Sequence, residues 1–453
     1  MQRIKVIAIA VVVVLIVAAA GILVLNKSGS TDARDEEINL IGGLEGVGSG
    51  FYYDPNEIDT TTLFVYNADG TLKTRTDANG DQVAILKTEG WEGLVFGVPT
   101  VGSIQYYQLK SIVEVYLKDP AYTDGKTVDL KLVAADNNKS SPAGTVGYVV
   151  TQGSASSIKE FHSKGIVIGI TWEPQFSILT VGADATYKNL VTTDLLFPHV
   201  TCCVLYGNAS YIAENPEVSE RLVWAVMYAT KWTHAVANDI INNGYDPTNE
   251  QHTKLVEYAI KYAGGSASGL DTDRVVNALH YIEYAWGDGD IYGDYDPSNP
   301  LSKIKEDIAN QTDILYQIGG VLFNSYSDLG FKDGADFAES FVDDSLMQKA
   351  LTVKSWDTSK TTTLKFSFIV GDLHQLPVHL AAEILPGLAE VTGNSSLDDS
   401  KTLFEQAGLD IVSVDATGSG QVVTQMQSGE ADFGVAGQPG VISYDINNKL
   451  TTA

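Results

Sequence analysis

The sequence predicts an α/β protein of more than one lobe, and three observations carry that expectation. Strand-like and helical runs alternate from Leu94 to Pro174 and again from Leu364 to Ala436, the pattern of parallel βαβ units. Between these blocks, from Asn215 to Leu351, apolar residues recur at helical spacing instead. A chain of 453 residues with 44% apolar content and 42 glycines is long and apolar enough for two or three cores.

The elements follow in order. At the start, MQRIKVIAIAVVVVLIVAAAGILVLNKSGS places Arg3 and Lys5 ahead of an unbroken apolar run from Val6 to Leu25, long enough to cross about 30 Å of hydrocarbon as a helix. Residues 1–27 therefore read as a signal anchor and transmembrane helix. Positive charge on the short side holds that end in the cytoplasm and leaves the body extracytoplasmic at the cell membrane. Cleavage as a signal peptide, which secretes the body, is the competing reading. Residues 28–37 are a polar linker without the cysteine that lipid modification needs.

INLIGGLEGVGSGFYY reads as a strand, a glycine-rich turn and a second strand. Thr60 to Lys87 holds two β-rich runs around Asp69-Gly70 and a further turn at Asn79-Gly80. Its Asp77, Asn79 and Asp81 alternate as in a calcium loop but lack the closing Glu. LVFGVP, a helix from Ser103 to Leu117, TVDLKLVAAD, a helix ending at Gly165 and IVIGITWEP then alternate, and an apolar strand from Phe197 to Gly207 leads out. Asn215, Pro216 and Glu217 open a long helix that runs to Gly244. Further helices are predicted over Asn249–Tyr262, Asp271–Trp286, Leu301–Leu322 and Ala335–Leu351. The loop Gly287 to Pro300 carries Asp288, Asp290, Asp294 and Asp296 without a bidentate Glu, and reads as solvated. Lys354 to Thr363 is a polar connector, after which LKFSFIV, a helix from Pro377, LDIVSV, a helix after GSG and DFGVA resume the alternation.

Composition excludes several classes. A net charge of −28, from 57 acidic and 29 basic residues, repels nucleic-acid phosphates. The two cysteines, Cys202 and Cys203, are adjacent, so neither a disulfide framework nor a four-thiolate metal site is expected. They read as small residues of a buried strand, a vicinal disulfide being the rarer alternative. Sequons at Asn26, Asn138, Asn208, Asn310 and Asn394 are compatible with an external surface. The chain lacks a G-x-S-x-G elbow, an H-E-x-x-H helix and a P-loop, and its seven histidines are scattered, so no enzyme activity, cofactor or metal is expected.

Three stretches, HQLPVHLAAE, LFEQAGLDIVSV and GSGQVVTQMQSGEADFGVAGQP, resemble the front half of the nitrate, sulfonate and taurine type of ABC-importer solute-binding proteins, a family that includes thiamine-pyrimidine-precursor binders. GLEGVGSGFYY, WEGLVFGVPTVGSIQ, IVIGITWEP and CCVLYGNASYIAENPE look like the remainder of the same domain. The resemblance implies a two-lobed periplasmic-binding-protein type 2 (Venus-flytrap) fold with two crossover strands as hinge and extra helices on one lobe. Because the front-half segment stands last, it implies a circular permutation, the middle of a tandem array being the rival reading. One lobe is then 38–91 together with 199–453, which includes the helical segment 211–351 and the front-half-like segment 364–453, and the other is 92–198. Implied partners are a small-molecule solute, ABC permease membrane subunits and the membrane through the N-terminal helix.

Open α/β sheets bind ligands beyond the carboxyl ends of their strands, where helix N-termini present N–H groups. Three such turns are visible: GDLHQLP after Val370, DATGSGQ after Val414 and PTVGS after Val98. Gly418, Gly420 and Gly102 allow close backbone approach, and Ser419 and Ser103 add hydroxyls. Thr100, His374 and Gln375 lie at the same strand ends, Trp172 and Glu173 at another, Gln438 at a further one after FGVAG, and Ser49 in the glycine-rich segment. Each has a plain reading: the glycines as connection, His374 as a solvent-facing cap, Trp172 as core. The function expected is an extracytoplasmic solute-binding receptor of an ABC importer for a small anion or organic solute such as a sulfonate, taurine, nitrate or bicarbonate. The alternatives are a sensory ectodomain and a thiamine-pyrimidine-related enzyme or binder.

Overall fold

In chain order the strands are β1 (Ile38–Gly43), β2 (Glu45–Val47), β3 (Ser49–Tyr53), β4 (Thr74–Thr76), β5 (Gln82–Ala84), β6 (Val95–Val98), β7 (Lys131–Ala134) and β8 (Thr145–Val150), followed by β9 (Ile168–Trp172), β10 (Lys188–Thr192), β11 (Cys203–Asn208), β12 (Ile282–Tyr284), β13 (Thr362–Ile369), β14 (Leu409–Ala416) and β15 (Phe433–Gly437). The computed structural model describes residues 38–77, 80–135, 140–198, 200–285, 302–320 and 325–452. The expected N-terminal span, Asn79, Asn138, His199, the acidic loop and Ala453 lie outside the described residues. Among the described residues no helix is long and apolar enough to cross a membrane.

The protein is a mixed α/β structure with two large sheets. The first has the order β1-β11-β15-β13-β14, and the second β10-β3-β9-β6-β8-β7. In the first, β13 runs parallel to β14 and β15, while β11 is antiparallel to β1 and β15. In the second, β6 is parallel to β8 and β9, and β3 is antiparallel to β9 and β10. Strands β6 and β15 are buried along their whole length, which explains why they read as unbroken apolar runs rather than alternating ones. One cluster of buried apolar side chains extends through both sheets, from Phe51 and Phe96 to Phe366 and Val435.

The helix Pro216–Asn243 underpins the first sheet with Leu222, Val226, Trp232, Val236 and Ile240 on its buried face. Trp224 and Trp232 each donate an indole N–H, to the carbonyls of Val353 (2.9 Å) and Pro386 (3.0 Å), so their burial leaves no orphan donor. Pro216 starts this helix, and Gly244 at φ +86° ends it. Asn215 precedes the helix without capping it by its side chain, because its amide donates instead to Tyr211 O at 3.1 Å.

Two expected helices are shorter in the structure. The one predicted over Asp271–Trp286 stops at Leu279, and Ile282–Tyr284 becomes β12, which pairs antiparallel with β2. The one predicted over Ala335–Leu351 divides into Gly334–Phe341 and Ser345–Thr352. Between them Val342 bridges to Leu40 at the edge of β1, and the Asp343 N–H donates to Leu40 O at 2.8 Å. In both places strand pairing with a distant segment overrides a local helical preference.

The chain passes between the large sheets twice, from β1 to β3 and from β10 to β11. The two passages run side by side: Cys202 N donates to Glu45 O (3.1 Å), Val47 N to Val200 O (2.8 Å) and Leu44 N to Cys203 O (3.2 Å). Gly46 and Thr201 form an antiparallel bridge between them. Since β3 belongs to the second sheet, the first passage falls at Leu44–Gly48, well before the boundary expected near Trp91.

Candidate functional site

Between the two sheets lies a cavity of about 530 Å³. Of the residues singled out from sequence, Thr100, Gly102, Ser103, Trp172, His374, Gly418, Ser419 and Gly420 line it. Turns that are hundreds of residues apart thus meet at one place, because each follows a strand whose carboxyl end faces the gap.

Among the described residues three helices of eight residues or more begin at the cavity: Ile104–Glu114, Ser419–Gln427 and Gln438–Thr452. Their first N–H groups have no partner within the helix, and their dipoles place partial positive charge at the cavity wall. Ser103 serves the first helix itself: its Oγ accepts from Tyr106 N at 3.2 Å and donates to Thr100 O at 2.9 Å. Ser419 Oγ accepts from Gly437 N at 3.2 Å, tying the second helix to the end of β15. Gly102 has φ +94°, so glycine is required there by conformation. At Gly418 and Gly420 an added Cβ would meet nothing within 4 Å, so these two leave open space rather than satisfy strain.

Ser49, Glu173, Gln375 and Gln438 are buried behind the lining. Ser49 Oγ accepts from Gln105 Nε2 at 2.9 Å. Gln375 Oε1 accepts from Ile369 N at 2.8 Å, a structural bond that shapes the turn after β13. Glu173 does not face the cavity: its carboxyl accepts from Ser177 N (3.1 Å) and Ser177 Oγ (2.9 Å), and burial pushes its pKa up to about 7. Gln438 is fully buried, its N–H donates to Cys202 O at 2.8 Å, and neither polar atom of its side chain has a hydrogen-bond partner. Trp172 Nε1 is likewise buried without a partner, while its ring lines the cavity.

His374 is neither a free donor nor a solvent-facing cap. It is 1% exposed, with Nδ1 2.6 Å from Asp372 Oδ1 and Nε2 2.8 Å from the Gly48 carbonyl. Burial opposes its charge, but Glu45 and Asp372 outweigh burial and hold its pKa well above the usual histidine range. Asp372 is the direct counter-ion, whereas burial pushes the Glu45 carboxyl up to about 8.

Around this histidine stands a cluster that sequence reasoning missed. Glu45 Oε1 accepts from Cys203 N at 2.7 Å, while its Oε2 makes no hydrogen bond and lies 3.9 Å from His374 Nε2. Both cysteines are reduced and buried, and both line the cavity. A hydrogen bond with Cys203, together with burial, pushes the Cys202 thiol up. Cys202 precedes β11 rather than standing in it, so it is not simply strand filler. No sequence signal linked Glu45, at the start of β2, to a cysteine on the other passage. Gln105, Ser443 and Asn447 were also missed, being helix residues whose cavity-facing side is set by packing.

No protein-family model matches the chain, and no curated protein matches it. A solved structure, that of the ligand-binding component of an ABC-type import system from Staphylococcus aureus with zinc bound, is similar over 69% of this chain and 74% of that one, at 13% identity and a TM-score of 0.34. So loose a likeness says nothing of what this chain binds.

Proposed function

We propose that this chain is the extracytoplasmic solute-binding receptor of an ABC importer and that it takes a small organic anion into the cavity between its sheets. The observation that carries the reading is the convergence of three helix N-termini from both sides of one cavity. Among the described residues no lysine or arginine lines the cavity, so an anion there is held by amide dipoles, which the acidic net charge does not oppose. A volume of about 530 Å³ with Val101, Ile104, Trp172 and Ile369 on its wall suits an organic body carrying the anionic group better than bare nitrate.

The paired passages between the sheets have the character of a hinge, and a ligand that touches both sides favours the closed state by those contacts alone. Delivery to permease subunits and anchoring through residues 1–27 complete the reading. A circular permutation is part of it: the front-half-like segment supplies β13, β14 and β15, which stand in one sheet with β1.

The test is thermal denaturation of the chelator-treated full chain with a panel of sulfonates, nitrate, bicarbonate, carboxylates and thiamine pyrimidines. One member at a hundredfold excess over its Kd is expected to stabilise the fold by about 2.7 kcal/mol. A flat response to the whole panel sinks the proposal.

A further inference from the structure

We propose that Glu45, Cys202 and His374 form a site for a borderline divalent transition-metal ion, of the Zn²⁺ or Co²⁺ kind, with one coordination position open to the cavity. Each residue offers one ligand atom, all three are buried, and no pair of these atoms is farther apart than 4.8 Å. Tetrahedral ligands at metal bonds of about 2.0–2.3 Å stand roughly 3.5 Å from one another, so the widest gap closes by at most about 1.3 Å. Glu45 Oε2, 3.9 Å from His374 Nε2, has no hydrogen bond to hold it back from the ion.

Thiolate, imidazole and carboxylate together are a donor set for this class of ion, and hard cations such as calcium or magnesium are not served by sulfur. Three protein ligands with access for a fourth describe an exchangeable site rather than a closed structural one. Access exists because Cys202 and His374 line the cavity.

The surroundings already have the form of an outer shell. Asp372 Oδ1, 2.6 Å from His374 Nδ1, fixes the tautomer that leaves Nε2 for the metal. Cys203 N holds Glu45 Oε1 at 2.7 Å, and Cys202 N holds Glu45 O at 3.1 Å, so two ligands are preset by the pairing of the two passages. On binding, the protons of the Cys202 thiol, the Glu45 carboxyl and His374 Nε2 leave to cavity water. His374 Nε2 then gives up its bond to the Gly48 carbonyl, 2.8 Å away, and binds the ion. A thiolate, a carboxylate, a neutral imidazole and a doubly charged ion sum to zero among the ligands, while the Asp372 carboxylate keeps the hydrogen bond from His374 Nδ1. The ion then ties the two passages to the loop after β13.

This inference does not depend on the solute reading. The full chain, stripped with a chelator, is titrated with Co²⁺ alone and its absorption recorded. A thiolate-to-cobalt charge-transfer band saturating at one equivalent is expected, lost in Cys202→Ser and retained in Cys203→Ser. Asp372→Asn is expected to weaken apparent affinity by about 10- to 100-fold while keeping the band. Absence of the band in the native sequence overturns the proposal, and so does its persistence in Cys202→Ser. Should Cys202→Ser not fold, X-ray absorption of the cobalt-loaded native protein decides: sulfur and nitrogen scatterers support the site, and oxygen alone overturns it. Cobalt binding in a protein that answers no solute removes the solute reading and leaves this one, and the converse result does the opposite.

Discussion

Gly48 and His374 hold each other in place: the ring Nε2 lies 2.8 Å from the Gly48 carbonyl, and a Cβ added at residue 48 would fall 2.2 Å from that same nitrogen. Residue 48 also has φ +79°, a conformation glycine alone adopts without strain. Gly48→Ala therefore meets two penalties, backbone strain of about 1–2 kcal/mol and displacement of a ring that is fixed on both sides. The expected result is a loss of about 2–4 kcal/mol in denaturant unfolding, with Gly50, one residue into β3, unchanged as the reference sequence. A loss below about 0.5 kcal/mol shows that the histidine is not held there.

Gly420 presents the opposite case. Its Cβ position is open and its φ is not left-handed, and it lies in the first turn of the helix Ser419–Gln427 at the cavity wall. Gly420→Leu should leave stability unchanged or raise it by up to about 1 kcal/mol, since a good helix former replaces glycine. It should also weaken binding of whichever solute stabilises the native sequence, because the new side chain occupies the space in front of the amides. Calorimetric titration with that solute checks it, and undiminished affinity removes this turn from the site.

These two positions show what was legible beforehand. The βαβ alternation and the three turns were readable because strand, turn and helix signals are local, and strand ends in such sheets converge by topology. Gly102 and Gly420 looked alike in sequence, yet only the first is required by backbone conformation, which depends on the turn that forms. The Glu45, Cys202 and His374 cluster was not legible at all. It exists because two passages pair between the sheets and the loop after β13 lies against them, contacts that no periodicity records. The strand β12 was missed for the same reason, its partner β2 being in the first passage.

His379 makes an acid limit for the fold. It is 9% exposed, stacked on Tyr262 at 4.3 Å and edge-on to Phe368 at 4.4 Å, and burial pulls its pKa from 6.5 down to about 4. Between pH 6.5 and about 4 the unfolded chain binds a proton that the folded chain refuses, so stability falls as pH falls through that window. The full effect is about 3 kcal/mol. His379→Phe keeps the aromatic contacts and removes the proton site. The gap between variant and native stabilities, from urea unfolding, should widen in the variant's favour from pH 7 to pH 4, and a constant gap refutes the assignment.

Glu173 sets a limit on the alkaline side. Burial raises its carboxyl from 4.5 to about 7, so from pH 4.5 to about 7 the folded chain holds a proton that the unfolded chain has released. Its contribution is fully present below pH 4.5 and is lost as pH rises through about 7, after which a buried carboxylate must be tolerated. The two hydrogen bonds from Ser177 ease that burden but do not outweigh burial, which still sets the direction of the shift. In Glu173→Gln an amide takes the place of the titrating group. Whatever the variant costs at acid pH through a mismatched bond to Ser177, the comparison with the native sequence should move by about 3 kcal/mol in the variant's favour between pH 4 and pH 8. Because Glu173 stands behind the cavity, solute affinity at neutral pH should stay within about twofold of native; a large loss of affinity would place its side chain in the site after all.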